Sequence, residues 1–386
     1  MLNRYFWVFL YPMRVAIVLN TSWNIYNFRK GLVKALMQKG FEVFAIAPED
    51  QFSHKLVELG CQYEKVTMDS RGANPVKDFG LTLELFQIYK RIKPDIILHF
   101  TIKPNIYGTL AARVLNIPVI NNVCGLGTVF LNENLVSKIA FTMYKFTFRF
   151  PKKVFFQNSQ DQQLFIDRSL VNSVQTEVIP GSGIRLDQFT PNVGKENVTD
   201  NIFTFLLISR LLIDKGIIEY VKAVEELRNM GIQAKFQILG AIDTEHKRGI
   251  SQEKVKSWVD NNIIEYLGTT EDVRPYIQNA DCVVLPSYRE GTPRTLLEAA
   301  SSAKPIVATD VAGCNNVVED NFNGLLCKVQ DHTDLAKKME MMFSLPQEAR
   351  IKMGKNGRKK MEKEFSEDIV IGSYLKCIQE IKFVMN

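Results

Sequence analysis

Two glutamates, Glu290 and Glu298, stand eight residues apart in REGTPRTLLEA, with Gly291, Thr292, Pro293 and Arg294 following the first. Pro293 suits the first position of a helix and Gly291 lets the chain turn into it, which leaves unpaired amides from Thr292 through Thr295 and Leu296. Such an end attracts anions. Glu298 then falls about one and a half turns into the helix, where an acceptor-only carboxylate can hold vicinal hydroxyls such as those of a ribose. Glu290, ahead of the turn, faces another part of the same ligand. Upstream, ISRLLIDKG sets Arg210 just beyond an apolar run and Lys215 at the head of the next helical stretch. A planar guanidinium and a compact ammonium beside helix amides suit a diphosphate. Together these residues describe a site for a nucleoside diphosphate sugar. Taken singly, each glutamate reads equally as a helix cap or surface charge, and each cation as an ordinary loop residue.

The elements that must position these groups alternate regularly. MRVAIVL from Met13, FEVFAIA, CQYEKVTM, DIILHF, PVINNV, VFFQN and TEVIP are short apolar runs, most of them separated by helix-like stretches such as Ile25 to Gln38. The polar segment IPGSGIRLDQFTPNVGKENVTD interrupts the rhythm, which restarts with NIFTFLLIS and continues through AKFQILG, NIIEYLG, DCVVLP, PIVAT and GLLCK. A helix is expected from about Gly216, and helices over 331–343 and 347–383 close the chain. The expectation is an α/β protein of two tandem, Rossmann-like, doubly wound domains, residues 13–190 and 200–365, with a cleft between them. A terminal helix over 366–386 is expected to pack back on the first domain.

Ligands of open parallel sheets lie beyond the carboxyl ends of the strands, so the other strand-to-helix turns matter. NTSWNIYNFRKGL follows the first strand without a GxGxxG, which argues against a nicotinamide or flavin dinucleotide there. Its Asn20, Ser22 and Asn24 suit a hydroxylated ligand; they suit capping of their own helix equally well. His99 closes an apolar strand in ILHFTIKPNIYG, with Lys103 before Pro104 at the next helix start. A lone strand-end histidine is more often packed than functional. Gly125 and Gly127 in NNVCGLGTVF permit a tight turn or close approach of backbone to a ligand.

Composition excludes several classes. The 386 residues, 46% hydrophobic and 23% charged, exceed what one core usually supports. A formal charge of +6, from 48 Lys+Arg against 42 Asp+Glu, is too small and dispersed for a nucleic-acid protein. The six cysteines show no metal spacing and read as reduced thiols of a cytoplasmic protein. MLNRYFWVFLYP is shorter than the roughly 20 residues of a spanning helix and has no cleavage site, so it reads as neither signal nor anchor but as a disordered tail, with an interfacial contact or a start codon placed too early as the alternatives. KIAFTMYKFTFRFPKK, residues 138–153, mixes aromatic residues with Lys145, Arg149, Lys152 and Lys153. It suits either an amphipathic helix on an anionic leaflet or one packed on the sheet. ARIKMGKNGRKKMEKEF reads as a solvated helix face.

SRLLIDKG, the glutamate pair of REGTPRTLLEA and the following KPIVATDVAGCNNVVEDNFNGLL resemble the carboxyl-terminal half of retaining GT-B glycosyltransferases of family four. HFTIKPNIYGTLAARVLNIPVINNVCGLGTVF and IPGSGIRLDQF are similar to enzymes that build capsule, O-antigen or other glycans on polyprenyl diphosphate carriers. The resemblance implies a second domain that binds the donor and a first that binds the acceptor. Arg210 and Lys215 would hold the donor diphosphate, Glu298 the ribose, and Glu290 with the amides from Gly291 to Arg294 the sugar. His99 resembles the histidine that the family places near the donor sugar, and Asn20, Ser22, Asn24, Lys103, Gly125 and Gly127 would belong to the acceptor or sugar loops. It implies a UDP-sugar as co-substrate, no metal and no other cofactor, and a polyprenyl-diphosphate-linked saccharide as acceptor, met peripherally at the inner face of the membrane. Many relatives have Phe where this chain has Thr292, which bears on the choice of donor. A UDP-sugar 2-epimerase of the same two-domain plan, or a non-catalytic two-lobed sugar-binding protein, are the alternatives. An epimerase needs carboxylates and histidines around the sugar ring, and among four histidines only His99 offers itself.

Overall fold

The computed structural model describes residues 12–69, 74–126, 135–191 and 202–385. The chain divides into two compact units: one takes the residues through Ser182 together with those from Asp368 onward, the other is Gly183–Glu367.

In the first unit seven parallel strands form one sheet: β1 (Arg14–Val18), β2 (Glu42–Ala47), β3 (Gln62–Lys65), β4 (Ile96–Phe100), β5 (Val119–Val123), β6 (Lys153–Phe156) and β7 (Thr176–Val178). Their order is β3-β2-β1-β4-β5-β6-β7, so the strands run outward in both directions from β1 and β4. β1 and β4 pair in the register Val18 to His99. The inner runs β1, β2, β4 and β5 are buried almost along their whole length because helices cover both faces, as parallel sheets require, while the edge strands β3 and β7 are polar and partly exposed. Val15 and Ile17 pack in one core with Leu32 and Leu36; Ala16 and Val18 pack in another with Leu85 and Tyr89.

The helix expected over Ile25–Gln38 is two helices, Ser22–Phe28 and Lys30–Gln38. Arg29, at φ −128° and ψ 5°, breaks the run between them. Thr21 caps the first of these by accepting from the Asn24 amide at 3.1 Å. The amphipathic spacing runs through the break unchanged, which is why periodicity does not reveal it.

In the second unit six parallel strands, β8 (Phe203–Ile208), β9 (Ala234–Leu239), β10 (Glu265–Tyr266), β11 (Cys282–Leu285), β12 (Ile306–Thr309) and β13 (Gly324–Cys327), take the order β10-β9-β8-β11-β12-β13. Every run read as a strand overlaps one. Gly216 turns from the end of β8 into the helix Ile217–Asn229 at φ 71°, with the Pro286 carbonyl where a Cβ would stand, 2.0 Å away. Only glycine fits there.

The second unit begins at Gly183, ahead of the 190–200 segment where the expected domains part. The Ile184 amide donates to the Phe365 carbonyl at 2.8 Å, and Phe189 lies in the second unit's core. The closing helices are His332–Ser344, Gln347–Glu364 and Glu367–Met385, so the helical tail over 347–383 is interrupted one residue before the terminal helix, which was expected from 366. The interruption falls where Ser366 bridges to Ile184. The last helix buries Val370, Tyr374, Cys377, Ile378 and Ile381 in the core beneath β1, β2 and β4.

Candidate functional site

The motifs of the second unit meet at the carboxyl ends of β8, β11 and β12. Lys215 ends the turn Ile213–Lys215, and its ammonium lies 2.5 Å from Glu290 Oε1. Both side chains are largely buried, so the pair is screened less than a surface ion pair. The Tyr288 amide donates to the Asp214 carbonyl at 2.9 Å, tying the loop after β8 to the loop after β11. Gly313, at φ 86°, lies against the Glu290 and Gly291 carbonyls, which a Cβ would approach to 2.6 and 2.5 Å. Cys314 beside it is fully buried, and burial raises its thiol pKa, with Glu290 adding to the rise and Lys215 opposing it. The Glu290 loop is therefore fixed from below by the loop after β12.

The helix Arg294–Ser301 follows, with Pro293 at its N-cap rather than inside its first turn. The proline φ of −71° continues into ψ 116°, an extended backbone, and the Pro293 carbonyl accepts from Leu296 at 3.0 Å. Thr295 Oγ1 donates to the Ile208 carbonyl at 3.1 Å, which sets the helix start against the last residue of β8. Glu298, buried on this helix, accepts from Arg294 Nε at 3.0 Å, and Arg294 also donates to the Gly183 carbonyl at 3.2 Å. Burial raises the Glu298 pKa, and the Arg294 guanidinium opposes that rise. The sequence reading gave Arg294 and Glu298 to different parts of a ligand; here they are bonded to each other, one helical turn apart.

Arg210 lies two residues beyond β8 with its side chain 59% exposed and NH1 3.7 Å from Asp243 Oδ2. Asp243 was not singled out by spacing. It sits in the loop after β9, which reaches Arg210 because Gly240 passes directly over the Ser209 carbonyl.

The first unit treats its expected site residues differently. His99 is fully buried. Its Nδ1 donates to Asn121 Oδ1 at 3.1 Å and its Nε2 accepts from Tyr89 Oη at 2.9 Å, which together define a neutral tautomer. Burial lowers its pKa to about 3, against the smaller opposing effect of Asn121. Both nitrogens are engaged inside the protein, where strand alternation turns the ring into the sheet's packed face. The next residue, Phe100, faces Tyr374 and Arg29 instead. Lys103 is held by Asp78 at 2.7 Å, and Tyr107 Oη donates to the same carboxylate. Ser22 is buried and donates to the Pro48 carbonyl at 3.0 Å. Of the capping and ligand readings for this loop, Ser22 takes the structural one. Asn20 Oδ1 is buried without a hydrogen-bond partner, and Asn24 offers its amide to Thr21. Gly125 follows β5 at φ 111°, and Gly127 lies outside the described residues.

The stretch 138–153 is helical only to Thr147. Tyr144 and Phe148 pack inward, while Ile139 and Phe146 are 53% and 52% exposed on the outward side, alongside Lys145 and Arg149. Lys153 belongs to β6 and pairs with Glu177 at 3.2 Å. Among the described residues no helix is long and apolar enough to cross a membrane, and no three His, Cys, Asp or Glu side chains are placed to hold a metal ion.

Residues 14–158 match a family model described as glycosyl transferase 4-like, and residues 189–360 match one described as glycosyl transferases group 1. The sequence is 28% identical to the N,N'-diacetylbacillosaminyl-diphospho-undecaprenol alpha-1,3-N-acetylgalactosaminyltransferase of Campylobacter jejuni, over 96% of this chain and 99% of that protein. It is 25% identical to the UDP-Gal:alpha-D-GlcNAc-diphosphoundecaprenol alpha-1,3-galactosyltransferase of Escherichia coli, over 78% of this chain and 82% of that one. Among solved structures, Anabaena HepE in complex with UDP-glucose aligns with a TM-score of 0.75 at 17% identity, covering 97% of this chain and 99% of its own. At that identity the likeness is one of fold.

Proposed function

The chain belongs to family four of the GT-B glycosyltransferases, and from that premise we propose that it moves a sugar, an N-acetylhexosamine or related hexose, from a UDP-sugar to a hydroxyl of a polyprenyl-diphosphate-linked saccharide. The product serves surface-polysaccharide assembly. The observation that carries this reading is the Lys215–Glu290 pair, held where the loops after β8 and β11 meet and three residues ahead of Pro293.

In this reading Lys215 and Arg210 meet the donor diphosphate, and Glu298, with Arg294 fixing its carboxylate, receives the ribose hydroxyls. Glu290 turns to the sugar hydroxyls as the phosphate draws Lys215 away, and the backbone from Gly291 to Thr295 and Leu296 lies beside them. As the bond from the anomeric carbon to the phosphate oxygen breaks, negative charge collects on the departing UDP and positive charge on the sugar ring. Arg210 and Lys215 stabilise the first, Glu290 the second. The acceptor hydroxyl attacks from the face the phosphate leaves, and the phosphate oxygen takes its proton. Retention follows from attack and departure on one face. No bound metal ion enters this scheme, since fixed cations and helix amides supply the positive charge.

The withdrawal of His99 into a hydrogen-bonded core supports transfer over 2-epimerisation, because His99 is the histidine an epimerase would use. We place the enzyme in the cytoplasm, where its lipid-linked acceptor is met at the inner face of the membrane through the outward side of 138–147. The test is a panel of UDP- and GDP-sugars scored by thermal stabilisation, followed by transfer from the best donor to a polyprenyl-diphosphate-linked saccharide. A UDP-sugar that is bound but interconverted with its 2-epimer, without transfer, would overturn the reading.

A further inference from the structure

The first unit contains a cation that its described side chains leave without a counter-charge. Arg29 is 4% exposed and occupies the break between the helices Ser22–Phe28 and Lys30–Gln38. Its guanidinium carbon lies 4.4 Å from the Phe100 ring centroid. One terminal nitrogen is 3.7 Å from Cys124 Sγ and the other 3.3 Å from the Phe28 carbonyl, while Nε has no hydrogen-bond partner. Among the described residues no carboxylate pairs with it. A ring face, a thiol and one carbonyl do not replace the hydration that a guanidinium loses on burial.

Two further groups share these strand ends. Thr101, the residue after β4, has φ 66°, a left-handed backbone that a β-branched side chain adopts rarely, and its Oγ1 is buried without a partner. Asn20, two residues beyond β1, has its Oδ1 in the same condition. β1 and β4 are adjacent, and β5 beside them brings Cys124 and Gly125. The carboxyl ends of three neighbouring strands thus carry an unneutralised guanidinium, a hydroxyl on a strained backbone and an amide oxygen, where open parallel sheets bind ligands.

We propose that these residues seat the diphosphate that links the acceptor saccharide to its lipid, an inference that rests on the acceptor class proposed above. Arg29 supplies the positive charge and Thr101 Oγ1 donates to a phosphate oxygen. Asn20 Oδ1, which repels phosphate, accepts from a hydroxyl of the first sugar. Lys103, two residues beyond Thr101, is already neutralised by Asp78 and does not compete for the role.

The experiment has one arm that is independent of the acceptor reading. With the protein saturated in UDP, inorganic pyrophosphate should raise the melting temperature of the wild type and not of Arg29→Met. Thr101→Gly relieves the left-handed backbone, so this variant should melt no lower than the wild type yet bind pyrophosphate about tenfold more weakly. It keeps the test decisive if Arg29→Met does not fold. In the second arm, Arg29→Met should raise KM for a farnesyl-diphosphate-linked saccharide about tenfold or more while leaving the octyl glycoside of the same saccharide and the KM for donor unchanged. Equal pyrophosphate stabilisation in all three proteins, weakened UDP binding in the variants, or equal losses on both acceptors would each overturn the assignment. Should the wild type use neither acceptor while pyrophosphate binding still needs Arg29, the acceptor reading fails and the anion site stands.

Discussion

Lys215 and Glu290 are 75 residues apart in the chain and 2.5 Å apart in space. Each motif was legible alone, one as a cation at a helix head and the other as an acid before a turn. Their pairing was not, because only the adjacency of β8 and β11 brings the two loops together. The pair makes a specific prediction. Lys215→Ala removes a donor at the developing charge and leaves Glu290 as an unopposed anion beside it, so kcat should fall by about 10²–10³. The melting temperature should move by only a few degrees, which separates a chemical role from a structural one. Glu298→Ala acts earlier on the path: it should weaken UDP-sugar binding about tenfold or more, read by calorimetry, with folding retained. Unchanged donor affinity would remove the ribose role. EDTA should leave turnover intact, and activity lost to EDTA and restored by Mg²⁺ would replace the metal-free scheme. His99 takes the packed side of its strand, which spacing alone does not decide because a strand end offers two faces. Its buried neutral ring has a separate consequence. With a folded pKa near 3 and an unfolded one near 6.5, the unfolded chain binds the extra proton between these values, so stability falls as pH drops from 6.5 toward 3. His99→Gln should flatten that dependence by up to about 3 kcal/mol between pH 6.5 and 4, measured by urea unfolding.

At the scale of elements, apolar runs and turn residues locate the inner strands, because a parallel sheet covered on both faces leaves no polar alternation to confuse the pattern, while the polar edge strands β3, β7 and β10 follow from the repeating rhythm. The terminal helix expected from 366 begins at Glu367, after the Ser366 bridge to Ile184, whereas the break at Arg29 was not legible, because its reason is tertiary: a guanidinium packed on Phe100. Pro293 was read correctly as marking a helix start but one position too far in, since an extended ψ is common in proline and makes it serve as N-cap here. Gly216 tests how strongly this turn is determined. A methyl group there meets the Pro286 carbonyl and requires φ near 71° of a non-glycine residue, so Gly216→Ala should destabilise the second unit by more than about 1 kcal/mol. Because the turn also orients Lys215, turnover should fall further than the unfolded fraction accounts for; activity that merely tracks folded protein would show that the turn does not position the lysine.

At the scale of the molecule, the question is how a chain with no membrane-crossing helix among its described residues would reach the lipid-linked acceptor proposed for it. The sequence left two readings of 138–153, one packed and one on a leaflet. The structure makes them compatible, since Tyr144 and Phe148 bury one side of the helix while Ile139 and Phe146 stand outward with Lys145 and Arg149. An outward face of two large apolar side chains between cations has the composition of an interfacial contact, in which insertion and attraction to anionic headgroups act together. Each cation near an anionic surface contributes about 1 kcal/mol, and burying the phenylalanine adds roughly 1.5–3 kcal/mol. Phe146→Asp should therefore reduce binding to phosphatidylglycerol vesicles by tenfold or more in a flotation assay. Because Phe146 is exposed, the substitution should leave the melting temperature unchanged, and transfer to a short water-soluble acceptor should continue at the wild-type rate. Phosphatidylcholine vesicles separate the two contributions: they should retain little protein, because the cations find no partner there. Equal binding to both vesicle types, or wild-type binding by Phe146→Asp, would take the membrane contact away from this helix while leaving the chemistry of the second unit as it stands.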